Sequence, residues 1–253
     1  MKKLAGIVVF MVGLLLFYGV SNVDDFPGWG DPDSPANASP LSQYFITDTI
    51  KDSEVPNMVT AVLADYRGYD TMFETVVIFI AGIAIFAVVR VSRNNSPVCG
   101  GNKDDEPDLI ITTTCRLLVP VIQIFALYVL AHGHSSPGGG FQGGVIMGAS
   151  FILVAVAWDL DTALGRFSDK AAIACAGLGI IIYAGFGLAS MFYGEEFLNY
   201  GITHKLLPGV ESPEMARYYG MLGVEVGVMF TVTSVMFLIY GLLSTRGRMS
   251  GGL

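Results

Sequence analysis

A helix needs ~20 consecutive, mostly apolar residues to cross the hydrocarbon of a bilayer. Runs of this kind recur at Leu4–Val20, Met72–Val89, Leu117–Ala131, Val145–Leu160, Ala171–Tyr193 and Tyr219–Leu243. The third and fourth are short and flank a glycine-rich stretch from which they can draw length. Only 14% of the 253 residues are charged and 53% are hydrophobic, against about 25% charged in soluble domains. The chain therefore reads as all-α: a polytopic integral membrane protein with about six transmembrane helices. A net charge of -8 without a basic stripe excludes a nucleic-acid binder. Cys99, Cys115 and Cys175 are scattered, with no CxxC, and form neither a disulfide framework nor a zinc site.

Basic residues set the orientation. With six spans and the N-terminus inside, the inner side holds Lys2, Lys3, Arg90, Arg93, Lys103, Arg116, Arg166, Lys170, Arg246 and Arg248. The outer side holds Lys51, Arg67, Lys205 and Arg217. Both termini are thus expected in the cytoplasm, with the protein in the cell's inner (plasma) membrane. A competing reading takes Lys2–Val20 as a cleaved signal peptide, with small residues only around Gly19–Ser21.

The expected organisation is a two-span part over residues 1–93 with a long acidic outer loop, a polar inner linker over 94–108, and a four-span domain over 109–253. Residues 21–42 are rich in Pro, Gly, Asp and Asn and read as loop. Beyond them, Val55, Met58, Val59, Val62 and Leu63 fall on one face of an amphipathic outer helix. The acidic residues of this segment (Asp24, Asp25, Asp31, Asp33, Asp48, Asp52, Glu54, Asp65 and Asp70) read either as a cation-concentrating mouth or as a solvated loop.

The stretch from His132 to Gly144 carries Gly133, Pro137, Gly138, Gly139, Gly140, Gly143 and Gly144, and cannot be one continuous helix. It lacks the trailing Lys-Ser/Thr of a phosphate loop. Irregular backbone at membrane depth occurs where it is buried in protein or lines a cavity; the other reading is a tight hairpin that lets helices pack closely. His132 and His134 lie two apart, so a helix would point them ~200° apart. With His204 also outside and no third ligand near in sequence, no metal site is expected. A hydrogen-bonding role or a proton relay remains for them.

A carboxyl group inside an apolar span is costly and points to function. Glu225 lies about six residues into the last span, roughly 9 Å from its outer end. Gly220, Gly223 and Gly227 share one face of that helix, and Glu225 points to nearly the opposite side with Met221, Met229 and Met236. The glycine face suits packing within the chain, which leaves Glu225 for a cavity or a partner. Glu74 opens the second span. If that helix begins before Gly68, Arg67, Asp70 and Glu74 share a face at i, i+3 and i+7, as an ion path or as a surface anchor. Pro120 lies inside the third span, followed by Gln123 and Tyr128 as path-lining or interhelical groups.

The run Gly133-His-Ser-Ser-Pro-Gly-Gly-Gly-Phe-Gln-Gly-Gly144, preceded by Arg116-Leu-Leu-Val-Pro120, resembles the signature of the B-type subunit of Mrp-type multisubunit cation/proton antiporters over residues 109–245. The run Asn57-Met-Val-Thr-Ala-Val-Leu-Ala-Asp-Tyr-Arg-Gly-Tyr-Asp-Thr-Met-Phe-Glu74 resembles the E-type subunit of energy-converting membrane-bound hydrogenases and the C-terminal end of the large, A-type Mrp subunit, over about residues 40–90. Met72-Phe73 departs from the Leu-Gly usual there, while the acidic residue is kept. The resemblance implies a fusion of two neighbouring subunits in a membrane complex that exchanges Na⁺ or another monovalent cation for protons, alone or driven by a redox arm. It implies other subunits as partners, Na⁺ and H⁺ as transported ions, no bound cofactor and no enzyme activity. Glu74, Asp70, Arg67, Glu225, His134, His132 and Gln123 are the expected ion-translocation residues. The alternative is a structural component that docks the complex while ions pass elsewhere.

Overall fold

The computed structural model describes residues 2–21, 40–89, 108–205, 209–210 and 212–245. Cys99, most of the expected linker and the acidic residues before Pro40 lie outside these. Residues Met1–Asp48 and Thr49–Leu253 form two compact units. The first holds α1 (Lys2–Ser21) and the start of α2 (Pro40–Ser53). In the second follow α3 (Met58–Ala61), a π-turn (Val62–Tyr66), α4 (Gly68–Val89), α5 (Leu109–Ala131), α6 (Gly140–Ala157), α7 (Leu160–Arg166), α8 (Asp169–Phe192), a 3-10 turn (Tyr200–Lys205) and α9 (Pro213–Ser244). The protein is a polytopic helical membrane protein, with no strand among the described residues. Five of these helices, α4, α5, α6, α8 and α9, are long and apolar enough to cross a membrane, and α1 carries a shorter apolar stretch, Gly6–Gly19.

α9 is the axis of the second unit. It packs against α4, α5, α6 and α8, and 67% of its most apolar window is buried, against 11% for α4. With no hydrophobic drive between helices in lipid, small residues and hydroxyl–carbonyl bonds hold such a bundle together. Gly179 of α8 and Gly227 of α9 bring the two backbones together, and the Thr231 hydroxyl donates to Ala176 O at 3.0 Å. On the α6 side, Gly144 and Gly148 face Val232 and Thr233, and the Thr233 hydroxyl donates to Gly144 O at 3.1 Å. Gly82 admits Val235 against α4. Gln123 serves as interhelical glue, its Nε2 donating to Ser150 Oγ at 3.2 Å, and α5 runs unbroken through Pro120.

The segment before α4 corrects two expectations. The loop expected through Ser42 gives way to helix at Pro40 (Pro40–Ser53), and the amphipathic helix expected through residues 55–63 begins only at Met58. Glu54 adopts φ 56°, Pro56 follows, and Asn57 starts α3 afresh by accepting from Val59 N at 3.1 Å. Met58, Val59 and Leu63 stay exposed, while Val55, Thr60, Ala61 and Ala64 are buried. Thr60, Ala61 and Ala64 turn inward with Val55 because the chain here lies close against the bundle, and Met58, Val59 and Leu63 face outward.

Candidate functional site: a carboxyl-lined cavity at the glycine break

α5 ends at Ala131 and α6 begins at Gly140. The irregular break is therefore His132–Gly139, shorter than expected, and Gly140, Gly143 and Gly144 belong to the first turns of α6. Their lack of a side chain serves packing: a Cβ on Gly143 would lie 3.0 Å from Ala126 O, and one on Gly144 2.8 Å from Val232 Cβ. Two positions are more demanding. Gly139 adopts φ 132°, ψ -169°, which only glycine tolerates readily. A Cβ on Gly140 would strike the Glu225 carbonyl oxygen.

Glu225 lies twelve residues into α9 from Pro213, about 18 Å along its axis. The face bearing Gly220, Gly223 and Gly227 packs on Tyr200, Phe186 and Gly179, so the opposite face carries Glu225 to the break. A Cβ on Gly139 would lie 2.8 Å from Glu225 Oε1, and one on Gly133 3.1 Å from Oε2. The carboxyl group thus sits at the N-terminus of α6, whose free N–H groups favour negative charge. It is 9% exposed, makes no salt bridge among the described residues, and its Oε2 has no hydrogen-bond partner.

In front of it opens a cavity of about 440 Å³. Glu74 of α4, exposed, lines the same cavity, with Asn57, Thr60, Thr71, Gln142 and Tyr183 as its polar neighbours and the Pro137–Gly140 backbone as one wall. Two carboxyl groups lining one such cavity can hold a proton, a monovalent cation, or each in turn.

The other expected residues stand apart from that lining. α4 begins at Gly68, and Arg67 is non-helical at φ -119°, ψ 34°. Arg67, Asp70 and Glu74 therefore do not form one helical face. Instead Arg67 Nε donates to Asp70 at 2.7 Å in an exposed pair, and Glu74 turns to the cavity alone. His132 stacks on Tyr128 and its Nδ1 lies 3.0 Å from Tyr128 O, closing the end of α5. His204 Nδ1 lies 2.7 Å from Gly201 O. Among the described residues, no three His, Cys, Asp or Glu side chains are grouped as a metal site would need.

His134 is buried at the break, its ring 4.3 Å from that of Tyr218. Burial holds the imidazole below its ordinary value, with the Tyr218 backbone working against that shift. The unfolded chain takes up a proton near pH ~6.5 and the folded one only at lower pH, so stability is lost as pH falls through that window. His134→Phe keeps the stacking ring and removes the titration. Melting temperatures at about pH 7.5 and about pH 5.5, either side of that value, should differ less in this variant than in the wild type.

Several contacts here were not read from the sequence. Asp65 in the π-turn accepts from Arg217 Nε of α9 at 2.7 Å, and its side chain is only 6% exposed. Burial raises the Asp65 carboxyl above its ordinary value, and the Arg217 guanidinium opposes the rise. The guanidinium also lies 5.5 Å over the Tyr66 ring, whose hydroxyl donates to Asp52 at 2.9 Å. Arg217→Met would strand a buried carboxylate, at a cost of about 3–5 kcal/mol. The Asp65→Asn, Arg217→Met double variant should recover most of that loss in a thermal melt. Tyr183 of α8, fully buried, donates to Gly68 O at 2.9 Å and fixes the start of α4 beside Glu74.

Residues 110–238 match the family model described as "Domain related to MnhB subunit of Na+/H+ antiporter". The chain belongs to this MnhB-related family. Residues 34–101 match a second model, MbhE, which describes the E-type subunit of MBH, so both resemblances read from the sequence are found. Among relatives, the B-type subunit of the Na(+)/H(+) antiporter of Bacillus subtilis (strain 168) is 32% identical over 135 residues, covering 52% of this chain and 94% of that protein. The probable K(+)/H(+) antiporter A/B-type subunit of Rhizobium meliloti (strain 1021) is 26% identical over 190 residues, 67% of this chain. The chain spans 19% of the length of that relative. A chain in the structure of the Mrp complex from Dietzia sp. DQ12-45-1b superposes with a TM-score of 0.69 at 25% identity, covering 99% of this chain and 26% of that one. The MnhB-related region holds α5, α6, α8 and most of α9, and with them the break and Glu225.

Proposed function

We propose that this protein is a membrane subunit of a multisubunit, Mrp-type monovalent cation/proton antiporter, and that its cavity is part of the cation route. The observation that carries the reading is Glu225: a carboxyl group buried in a span with no cationic partner among the described residues, facing a cavity it shares with Glu74. Burying an ionisable group is expensive, and such groups in spans mark ion paths. Na⁺ and H⁺ are the transported ions, other subunits of the complex are the partners, and the chain holds no cofactor of its own and performs no catalysis. The complex works alone or as the antiporter module of a redox-driven assembly such as a membrane-bound hydrogenase. The basic-residue bias supports cytoplasmic termini, an inner-membrane location and a cavity on the outer side. The two-span part (1–93) and the four-span part (109–253), joined by the 94–108 linker, supply Glu74 and Glu225 respectively. Arg67, Asp70, His132, His134 and Gln123 act outside the cavity, as anchors and helix contacts.

The test is ²²Na⁺/proton exchange in inverted vesicles carrying the whole complex, with Glu74→Gln and Glu225→Gln made separately and assembly checked on native gels. Loss of exchange in an assembled complex supports the route. Normal exchange in each of the two variants would make this chain a docking component with the ions passing elsewhere.

A further inference from the structure

The break between α5 and α6 has backbone groups that no helix satisfies. Within the break, the N–H groups of Gly133, Ser135 and Ser136 return to the end of α5, bonding to Leu130 O and His132 O. The carbonyls are met from elsewhere. Asn57 N donates to His134 O at 2.9 Å. The two hydrogens of Asn57 Nδ2 are shared among Gly133 O at 2.8 Å, Thr60 Oγ1 at 2.8 Å and Ser136 O at 3.0 Å. The Thr60 hydroxyl passes the bond on to Gly133 O at 2.7 Å. One asparagine, helped by one threonine, thus holds three carbonyls of a loop more than seventy residues further along the chain.

The strap bears on the carboxyl group. Gly133, whose carbonyl receives both Asn57 and Thr60, is one of the two glycines against which the Glu225 oxygens lie. Asn57 and Thr60 also line the cavity that Glu225 and Glu74 share. Asn57 lies outside the MnhB-related region and within the part that matches MbhE. We propose that Asn57 is a positioning residue: from the N-terminal part of the chain it sets the shape of the Glu225 pocket and so the affinity of that pocket for the cation. The inference rests on the cavity being part of the cation route.

Asn57 has a second, local task, since its Oδ1 caps α3 through Val59 N. Asn57→Ser separates the two, because serine caps a helix well but is too short to reach Gly133 and Ser136. Asn57→Ala removes both. Thr60→Val, similar in shape, removes the hydroxyl's bond to the same carbonyl and one acceptor of Asn57 Nδ2, and keeps Asn57 itself. The experiment measures the Na⁺ concentration for half-maximal exchange and the maximal rate in vesicles, together with amide hydrogen exchange of residues 131–142 in the purified complex.

In both Asn57 variants the half-saturating Na⁺ concentration should rise about five- to tenfold, the scale of one or two lost hydrogen bonds. The maximal rate should change little and the break should exchange faster. Thr60→Val should give a smaller rise, less than additive with Asn57→Ser because both act on Gly133 O. An unchanged half-saturation in assembled Asn57→Ser overturns the proposal, whether or not the break exchanges faster. If neither Asn57 variant assembles, a wild-type half-saturation in Thr60→Val overturns it. Glu225→Gln, run in parallel, separates the two readings. If that variant transports normally, the cation route itself is lost; if it is inactive while the Asn57 variants behave as wild type, only the positioning role falls.

Discussion

Glu225→Gln should lower Na⁺-driven proton exchange by roughly ten- to hundredfold in a complex that still assembles, the scale of one lost charged ligand at about 1.5–3 kcal/mol. Gln matches the carboxyl group in shape, so the glycine wall at Gly133, Gly139 and Gly140 stays filled and α9 keeps its contacts. What disappears is the charge and the exchangeable proton. Glu225→Asp keeps the chemistry but withdraws the oxygens by one methylene from the start of α6, and should retain part of the activity. The contrast matters: a packing role would be served at least as well by Gln as by Asp. Initial rates of exchange for the two variants, normalised to assembled complex, decide between them.

Gly140→Ala should act on folding rather than transport and should be the most damaging glycine-to-alanine change among the described residues. The added Cβ would meet the backbone carbonyl of Glu225 itself, with its carbonyl carbon at 2.9 Å and its Cα at 3.0 Å. No flexible side chain is available to move aside, so α6 and α9 would have to separate. Overpacking a core costs about 1–3 kcal/mol where side chains can adjust, and a backbone-to-backbone clash should cost at least that. Separation would also strain the neighbouring contacts at Gly144 and Gly148, which seat Val232 and Thr233 along the same interface. Gly177→Ala is the matching control, since a methyl there meets open space. Fluorescence-detected size exclusion after a heat step should show the first variant lost at temperatures where the control survives.

The spans are legible because apolar length is a property of the chain alone. The opposed faces of α9 are legible too, since about 100° per residue places Gly220, Gly223 and Gly227 away from Glu225 in any helix. Where the helices start is another matter. Glycine disfavours helix in isolation, which assigns the whole run through Gly144 to the break, yet Gly140, Gly143 and Gly144 are helical because α5 and α9 approach too closely for side chains. Likewise, the Arg67–Asp70–Glu74 face requires a helix beginning before Gly68, and the π-turn ends it there. The face expected from Val55 to Leu63 follows apolar spacing, but in a membrane large apolar residues are at home outside and small ones mark the contacts. Asn57 and the Asp65–Arg217 pair carry no local signal at all. Asn57 preceding a helix reads as an ordinary cap, and its bonds to Gly133 and Ser136 exist only once the chain has folded back.

The proposed cation route requires Glu225 to carry a proton and a cation by turns. Carbodiimides react with the protonated form of buried carboxyl groups, and mass spectrometry can locate the adduct. The purified complex should be labelled at Glu225 at fixed pH while Na⁺ is raised against constant ionic strength with choline. Labelling that falls as Na⁺ rises, and is restored when choline replaces it, is the expected result. Labelling at Glu225 that is indifferent to Na⁺, in a complex that still exchanges Na⁺ for protons, would exclude Glu225 from the cation route.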